Sequence, residues 1–232
     1  MMKTLGIDTG LTEGSVVAAE GERVFRIAFS PAAEHARRIV SALAEAAAAL
    51  GWRVADAQLV AVVRGPGSFT GLRVGISAAK GIAWAGRIPL AAVSGFHLLA
   101  EAAGAGGEAV HVAYDAGRGD VHAALVIPAA DEPAGWRTAA EGIVAADAWI
   151  ERLPGGATLS GPALDTPAVA AALSRRADLL PVAAAFRRPT AVDAVRLGLR
   201  LAEAGACVDP ATLVPDYSRP SYVQENSPHS SR

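Results

Sequence analysis

The sequence predicts an α/β fold made of two tandem units, each a short strand meander followed by alternating helices and strands. Three observations carry this reading. Apolar runs of strand length alternate with stretches of helical spacing along the whole chain. An Asp-x-Gly turn directly after a short apolar strand occurs twice: residues 5–7 run into Asp8-Thr9-Gly10, and residues 110–114 run into Asp115-Ala116-Gly117. The two copies stand about one hundred residues apart, an internal repeat of strand, turn and strand.

Taken in order, the run at 5–7 is followed by 15–18 and 24–28, separated by the turn-like Glu20-Gly21-Glu22, and the three read as a meander. Pro31 opens a segment to residue 50 in which Ile39, Leu43, Ala46 and Leu50 recur at helical spacing, and Gly51 stops it. A continuous apolar strand at 59–63 leads into a loop rich in glycine; residues 71–86 have helical character and 88–93 read as another strand. After the second turn, 121–127 is a strand, and a further strand is expected near Trp136. A helix follows over 145–153, a strand at 157–160, a helix from Pro167 and a longer helix from 190 to about 206.

Gly104-Ala105-Gly106-Gly107 is the best linker in the chain, so the expected organisation is a first unit over 1–105 and a second over 106–220. The helix at 190–206 is free to pack back on the first unit, and 221–232 forms a polar tail expected to fray. Tandem units of this kind describe the duplicated ribonuclease-H-like fold of sugar kinases and actin (actin-like ATPase, ASKHA), with central mixed β-sheets flanked by helices. In those proteins the paired turns face each other across a cleft and take the phosphates of ATP, an analogy of fold that does not settle function.

Composition narrows the function classes. The chain has 232 residues, 52% of them apolar, enough for a real core. A net charge of −2 with 19% charged residues gives no field that would hold a polyanion unaided, so a free-standing nucleic-acid binder is disfavoured. Cys207 is the only cysteine, which points to a reducing compartment. The amino terminus MMKTLGIDTG reaches a strand and a turn at once, without a long apolar stretch, so a cytoplasmic protein with no membrane span is expected.

The loop Gly65-Pro66-Gly67-Ser68-Phe69-Thr70-Gly71-Leu72-Arg73 fails as a phosphate-binding Walker loop, because no Gly-Lys-Ser/Thr follows and the next lysine is Lys80. It also lacks the Gly-x-Ser-x-Gly spacing of a nucleophile elbow. What remains is a helix start, with Thr70 as N-cap or with the free amides of Gly71, Leu72 and Arg73 taking an anion. His35, His97, His111, His122 and His229 form no HxxxH pair, so no metal site and no cofactor is expected. Asp8 and Asp115 are the best paired carboxylates; they read equally as turn formers and as nucleotide-site residues. No complete catalytic set can be assembled.

The two first-half helices carry another pattern. Gly71, Gly75, Ala79 and Ala83 recur at four-residue spacing, and Ala42, Ala46 and Ala49 make a comparable strip on the preceding helix. Small side chains let helix axes approach closely, which suits either docking of a partner or packing against the chain's own sheet.

The stretch 64–85, RGPGSFTGLRVGISAAKGIAWA, closely resembles the signature of the bacterial TsaB (YeaZ) family, the partner subunit of the machinery that makes threonylcarbamoyladenosine in transfer RNA. LGIDTG at the start, His35 in the first helix, YDAGRGDVHAAL at 114–125 and VPDYSRP near the end resemble further family segments. The resemblance implies a duplicated actin-like fold with no working active site of its own. It implies a supporting role, in which the chain binds the transferase subunit TsaD, with the ATPase TsaE joining, and meets transfer RNA only through that complex. It places the docking surface on the two first-unit helices, with His35, Ile39, Leu43, Ala46, Leu50, Gly71, Leu72, Arg73, Gly75, Ile76, Ala79 and Ile82 as contact residues, and implies homodimers through the same helices when the partner is absent. The rival reading is an enzyme, either an actin-like ATPase or a glycoprotease-like hydrolase.

Overall fold

The computed structural model describes residues 1–29, 35–104 and 107–217. The start of the first expected helix at 31–34, residues 105 and 106 of the linker, and the tail at 221–232 lie outside them. Two five-stranded mixed sheets form the frame. In the first, β1 (Lys3–Asp8), β2 (Gly14–Glu20) and β3 (Arg23–Phe29) are the antiparallel meander, and β4 (Leu59–Gly65) and β5 (Leu90–Ser94) add in parallel beyond β1, giving the order β3-β2-β1-β4-β5. In the second, β6 (Val110–Gly117), β7 (Asp120–Pro128) and β8 (Trp136–Ala145) are the meander, and β9 (Thr158–Ser160) and β10 (Leu180–Pro181) are the parallel additions, giving β10-β9-β6-β7-β8. Read from its meander edge, the second order repeats the first, strand for strand. The chain is two tandem ribonuclease-H-like units.

Helices cover both faces of the first sheet. α1 (His35–Ala49) and α2 (Phe69–Gly86) lie on one face, where Leu5, Ile7, Val60 and Val62 meet Leu43, Ala46, Leu72 and Ala79 in one buried cluster. Those strands are buried on both sides, which explains why 59–63 reads as an unbroken apolar run rather than an alternation. The other face is taken by α6 (Ala191–Glu203), which comes from the far end of the chain and packs Ala191 and Val195 on Val17 and Ala19. The approach is close because a glycine on each side, Gly6 in the sheet and Gly198 on α6, lacks a side chain where the other element packs. A Cβ on Gly6 would stand 2.6 Å from the Ala191 carbonyl oxygen, and one on Gly198 would stand 2.5 Å from the Ala61 Cβ.

α3 (Gly95–Ala102), which the apolar spacing does not separate from the strand before it, joins the units. Its Phe96, Leu98 and Leu99 share a cluster with Val63 and Val93 of the first sheet, Val110, Val112 and Tyr114 of the second, and Leu197 of α6. α4 (Ala146–Arg152) and α5 (Pro167–Leu173) cover the remaining face of the second sheet through Trp149, Ile150, Val169 and Ala172.

Candidate functional site

The two Asp-Gly turns fold alike. Asp8 accepts a hydrogen bond from the Gly10 amide at 3.0 Å, and Asp115 accepts one from the Gly117 amide at 2.8 Å. Each carboxylate closes its own turn, the ordinary role of an aspartate in an Asx turn. Their surroundings differ. Asp115 is exposed and borders a cleft of about 360 Å³ between the units, which Gly10, Ser68 and Arg188 also line. Asp8 is buried and does not border that cleft; burial lifts its carboxyl to about 6, against the pull of the Gly10 amide and with added repulsion from Asp193.

The glycine-rich loop packs on the first turn. Ser68, rather than Thr70, is the N-cap of α2, its hydroxyl accepting from the Gly71 amide at 3.3 Å. The correction follows from where the helix begins: Phe69 is already helical, so Thr70 lies inside the first turn. The Ser68 amide donates to the Gly10 carbonyl at 2.7 Å, and the Thr9 hydroxyl donates to the Gly71 carbonyl at 2.7 Å. A Cβ on Gly71 or Gly75 would overlap Thr9 itself, the backbone carbonyl in one case and the hydroxyl in the other. Gly67, Gly71 and Gly75 therefore serve contact with the chain's own first turn.

That fact corrects the choice of docking residues. Ile39, Leu43, Ala46, Gly71, Leu72, Gly75, Ile76 and Ala79 are buried under the first sheet and the neighbouring helix, and Leu50 and Ile82 are partly buried against the same cluster. They form an inner face and are not open to another chain. His35 opens α1, and its side chain lies outside the described residues. Arg73 is exposed but engaged: its Nε donates to the Tyr217 hydroxyl at 2.8 Å, and its guanidinium stands 3.9 Å from the centre of the Phe69 ring. Tyr217 stacks on Phe69 at 4.7 Å between ring centres. These contacts belong to a C-terminal segment, 208–217, that runs antiparallel along α2. Val208 bridges to Leu90, Lys80 donates to the carbonyls of Ala211 and Leu213, and Arg64 pairs with Asp216 at 2.9 Å.

What the two helices do turn outward is a different set. On α1 it includes Val40, Ser41, Ala44 and Ala48; on α2 it includes Ser77, Gly81, Trp84 and Ala85, spaced to share one stripe. Trp84 is 69% exposed and Val40 57%, both large apolar side chains in water. Gly81 sits in the middle of α2 with nothing within 4 Å of where a Cβ would be, so no packing inside this chain calls for a glycine there. Trp84 was in the sequence all along, but an alanine-rich helix offers no contrast in periodicity to say which side faces out.

Among the described residues no cluster of three His, Cys, Asp or Glu side chains is arranged to hold a metal ion, and no helix is long and apolar enough to cross a membrane.

Comparison with known proteins places the chain. Residues 30–131 match the family model described as TsaD: tRNA N6-adenosine threonylcarbamoyltransferase. The tRNA threonylcarbamoyladenosine biosynthesis protein TsaB of Escherichia coli (strain K12) is 35% identical over 124 residues, 52% of this chain and 53% of that protein. TsaB of Bacillus subtilis (strain 168) is 39% identical over 70 residues, 30% of this chain and 31% of that protein. The solved structure of YeaZ from Pseudomonas aeruginosa superposes with a TM-score of 0.73 at 24% identity, over 94% of this chain and 100% of that one. In sequence the chain is similar to TsaB proteins over part of its length, and it shares the YeaZ fold. Its match spans about half the length of the Escherichia coli TsaB and about a third of the Bacillus subtilis TsaB, whereas the YeaZ fold is shared over its whole length. The likeness in fold thus covers α1, α2 and both sheets together.

Proposed function

We propose that this chain is a non-catalytic docking subunit in the biosynthesis of threonylcarbamoyladenosine in transfer RNA, binding a TsaD-type transferase through the outward stripe of α1 and α2. The relatives' names supply the pathway. The observation that carries the docking role is the exposed Trp84 beside Gly81, a large apolar side chain and an unfilled backbone position on one helical face. Trp is enriched among the hot spots of protein interfaces, and a neighbouring glycine lets a second helix come close.

In this reading residues 1–105 form the docking unit, 106–220 the second unit, and TsaE joins the assembly; without TsaD the same stripe pairs two copies of the chain. Transfer RNA is met only through the complex, in the cytoplasm. The test is reconstitution: TsaD and TsaE with substrate and transfer RNA, with and without this chain, reading modified adenosine 37. Modification that depends on the chain, and fails with Trp84→Ala, supports the reading; modification unaffected by its omission removes it.

The match of residues 30–131 to the transferase model favours one rival, an enzyme in its own right. Transferase activity of the chain alone, without TsaD, is the result that would establish it.

A further inference from the structure

A second cavity, of about 620 Å³, opens between the units on the side of the C-terminal segment, and none of the roles above uses it. Three parts of the chain build it: the ends of β4 and β5 with the start of α3, strands β7 and β8, and residues 215–217. Its chemistry can be read by asking which polar groups on its wall are already engaged.

The cations are. Arg64 pairs with Asp216 at 2.9 Å, and Arg137 pairs with Glu132 at 3.2 Å and also with Asp131. The aromatic polar tips are engaged too: the Trp136 indole N–H donates to Glu101 at 2.8 Å, outside the cavity, and the Tyr217 hydroxyl accepts from Arg73. His97 Nε2 lies 3.2 Å from the Thr138 hydroxyl oxygen. Two groups remain. His122 is only 9% exposed, packs edge-on against Phe96 at 5.0 Å between ring centres, and has a buried Nδ1 with no hydrogen-bond partner. Glu141 stands on β8 opposite Ala124 and lines the cavity, its side chain making no ion pair or hydrogen bond among the described residues.

The balance of charge follows. Each guanidinium on the wall is matched by a carboxylate, and Glu141 is left over. Burial lowers His97 and His122, so at neutral pH both imidazoles are uncharged and do not offset it. Asp216 is raised by burial and further by Glu141, while Arg64 and His122 hold it down, so the two carboxylates feel each other across the cavity. A ligand that completes this wall brings donors and a positive charge, against an acceptor-only carboxylate and an imidazole whose ring nitrogens make no hydrogen bond among the described residues, the Nδ1 being the buried one. It also meets Trp136 and Tyr217, aromatic side chains of the kind that attract cations.

We propose that this inter-unit cavity is a binding site for a small organic ammonium ligand, its charge held by Glu141, with His122 as hydrogen-bond partner and Trp136 and Tyr217 as an aromatic wall. The site stands apart from the outward stripe of α1 and α2, so its test is independent of the docking role.

The experiment is an NMR titration of the full chain, isotope-labelled at histidine and tryptophan, with n-butylamine and separately with 1-butanol, which has the same length and a hydroxyl in place of the ammonium. The expected result is a saturable shift of the His122 ring and Trp136 indole signals with the amine and none with the alcohol. Glu141→Gln, a substitution at an exposed position that keeps the fold, is expected to weaken the amine by about tenfold or more, the loss typical of a hydrogen bond to a charged group. Three results overturn the proposal: no movement of either reporter, an alcohol response equal to that of the amine, or unchanged amine affinity in Glu141→Gln.

Discussion

Gly75 of α2 lies directly under Thr9 of the first turn: a Cβ at Gly75 would overlap the threonine hydroxyl oxygen, which itself donates to the Gly71 carbonyl at 2.7 Å. The helix start and the turn are thereby one packed unit. Gly75→Ala is expected to cost about 1–3 kcal/mol of stability, the range for overfilling a packed site. The cost should shrink in a Thr9→Ala background, where the overlapping oxygen is gone. Urea unfolding of the two single variants and the double variant measures this coupling, and strictly additive losses would rule the contact out as its source.

Gly81 is the opposite case on the same helix. With open space where its Cβ would lie, Gly81→Ala is expected to raise stability by about 0.5–1 kcal/mol, the helix-propensity difference between the two residues. If the proposed stripe docks TsaD, Gly81→Leu should fold equally well yet weaken that binding, because the added side chain would stand in the open space beside the helix. Thermal unfolding and calorimetry with TsaD separate the two effects.

Trp84→Ala should leave the unfolding midpoint almost unchanged, since the side chain is 69% exposed. The same change is expected to weaken TsaD binding by roughly thirtyfold or more, the size of a hot-spot truncation of about 2 kcal/mol. Equal affinity in variant and parent would move the docking surface off α2.

The C-terminal segment is tied to α2 mainly by Arg73, Tyr217 and Lys80. Arg73→Ala removes both the hydrogen bond to Tyr217 and the guanidinium over Phe69, and is expected to speed amide exchange across 208–217 while α2 itself stays protected. Because these groups are solvent-exposed, the change in global stability should be about 1 kcal/mol or less.

Asp8 makes stability depend on pH. Its folded value, about 6, lies above the ordinary 3.8, so the folded state holds a proton that the unfolded state has released between those values. Below pH 4 burial of Asp8 carries no ionisation penalty. As pH rises through 6 the buried carboxyl must ionise, and about 2–3 kcal/mol of stability is lost. Asp8→Asn keeps an acceptor for the Gly10 amide and is expected to remove this decline, so that the variant equals or exceeds the parent at pH 7–8 in denaturant unfolding.

Much of this architecture was legible beforehand because it is written in local pattern. The repeated Asp-x-Gly turns at 8–10 and 115–117 marked the duplication, and the sheet orders repeat in the same way. α3 is not legible in the sequence, since Phe96, Leu98 and Leu99 follow β5 without a break and an apolar run of that kind has no period of its own. The residues that the resemblance offers for docking lie mostly on the buried side of α1 and α2. Spacing identified residues that share a face, but glycine and alanine serve a tight internal contact and an open surface equally well.

The sequence by itself determined the two-unit α/β plan, the turn chemistry of its aspartates and the helix start at the glycine-rich loop, because each depends on neighbours within a few residues. Tertiary structure alone decided the rest: that Gly71 and Gly75 face Thr9 while Gly81 and Trp84 face solvent, that α6 returns to close the first sheet, and that His122 and Glu141 meet Asp216 at one cavity. Those outcomes depend on contacts between residues far apart in the chain, whose geometry is set by how the sheets and helices pack and not by any local preference.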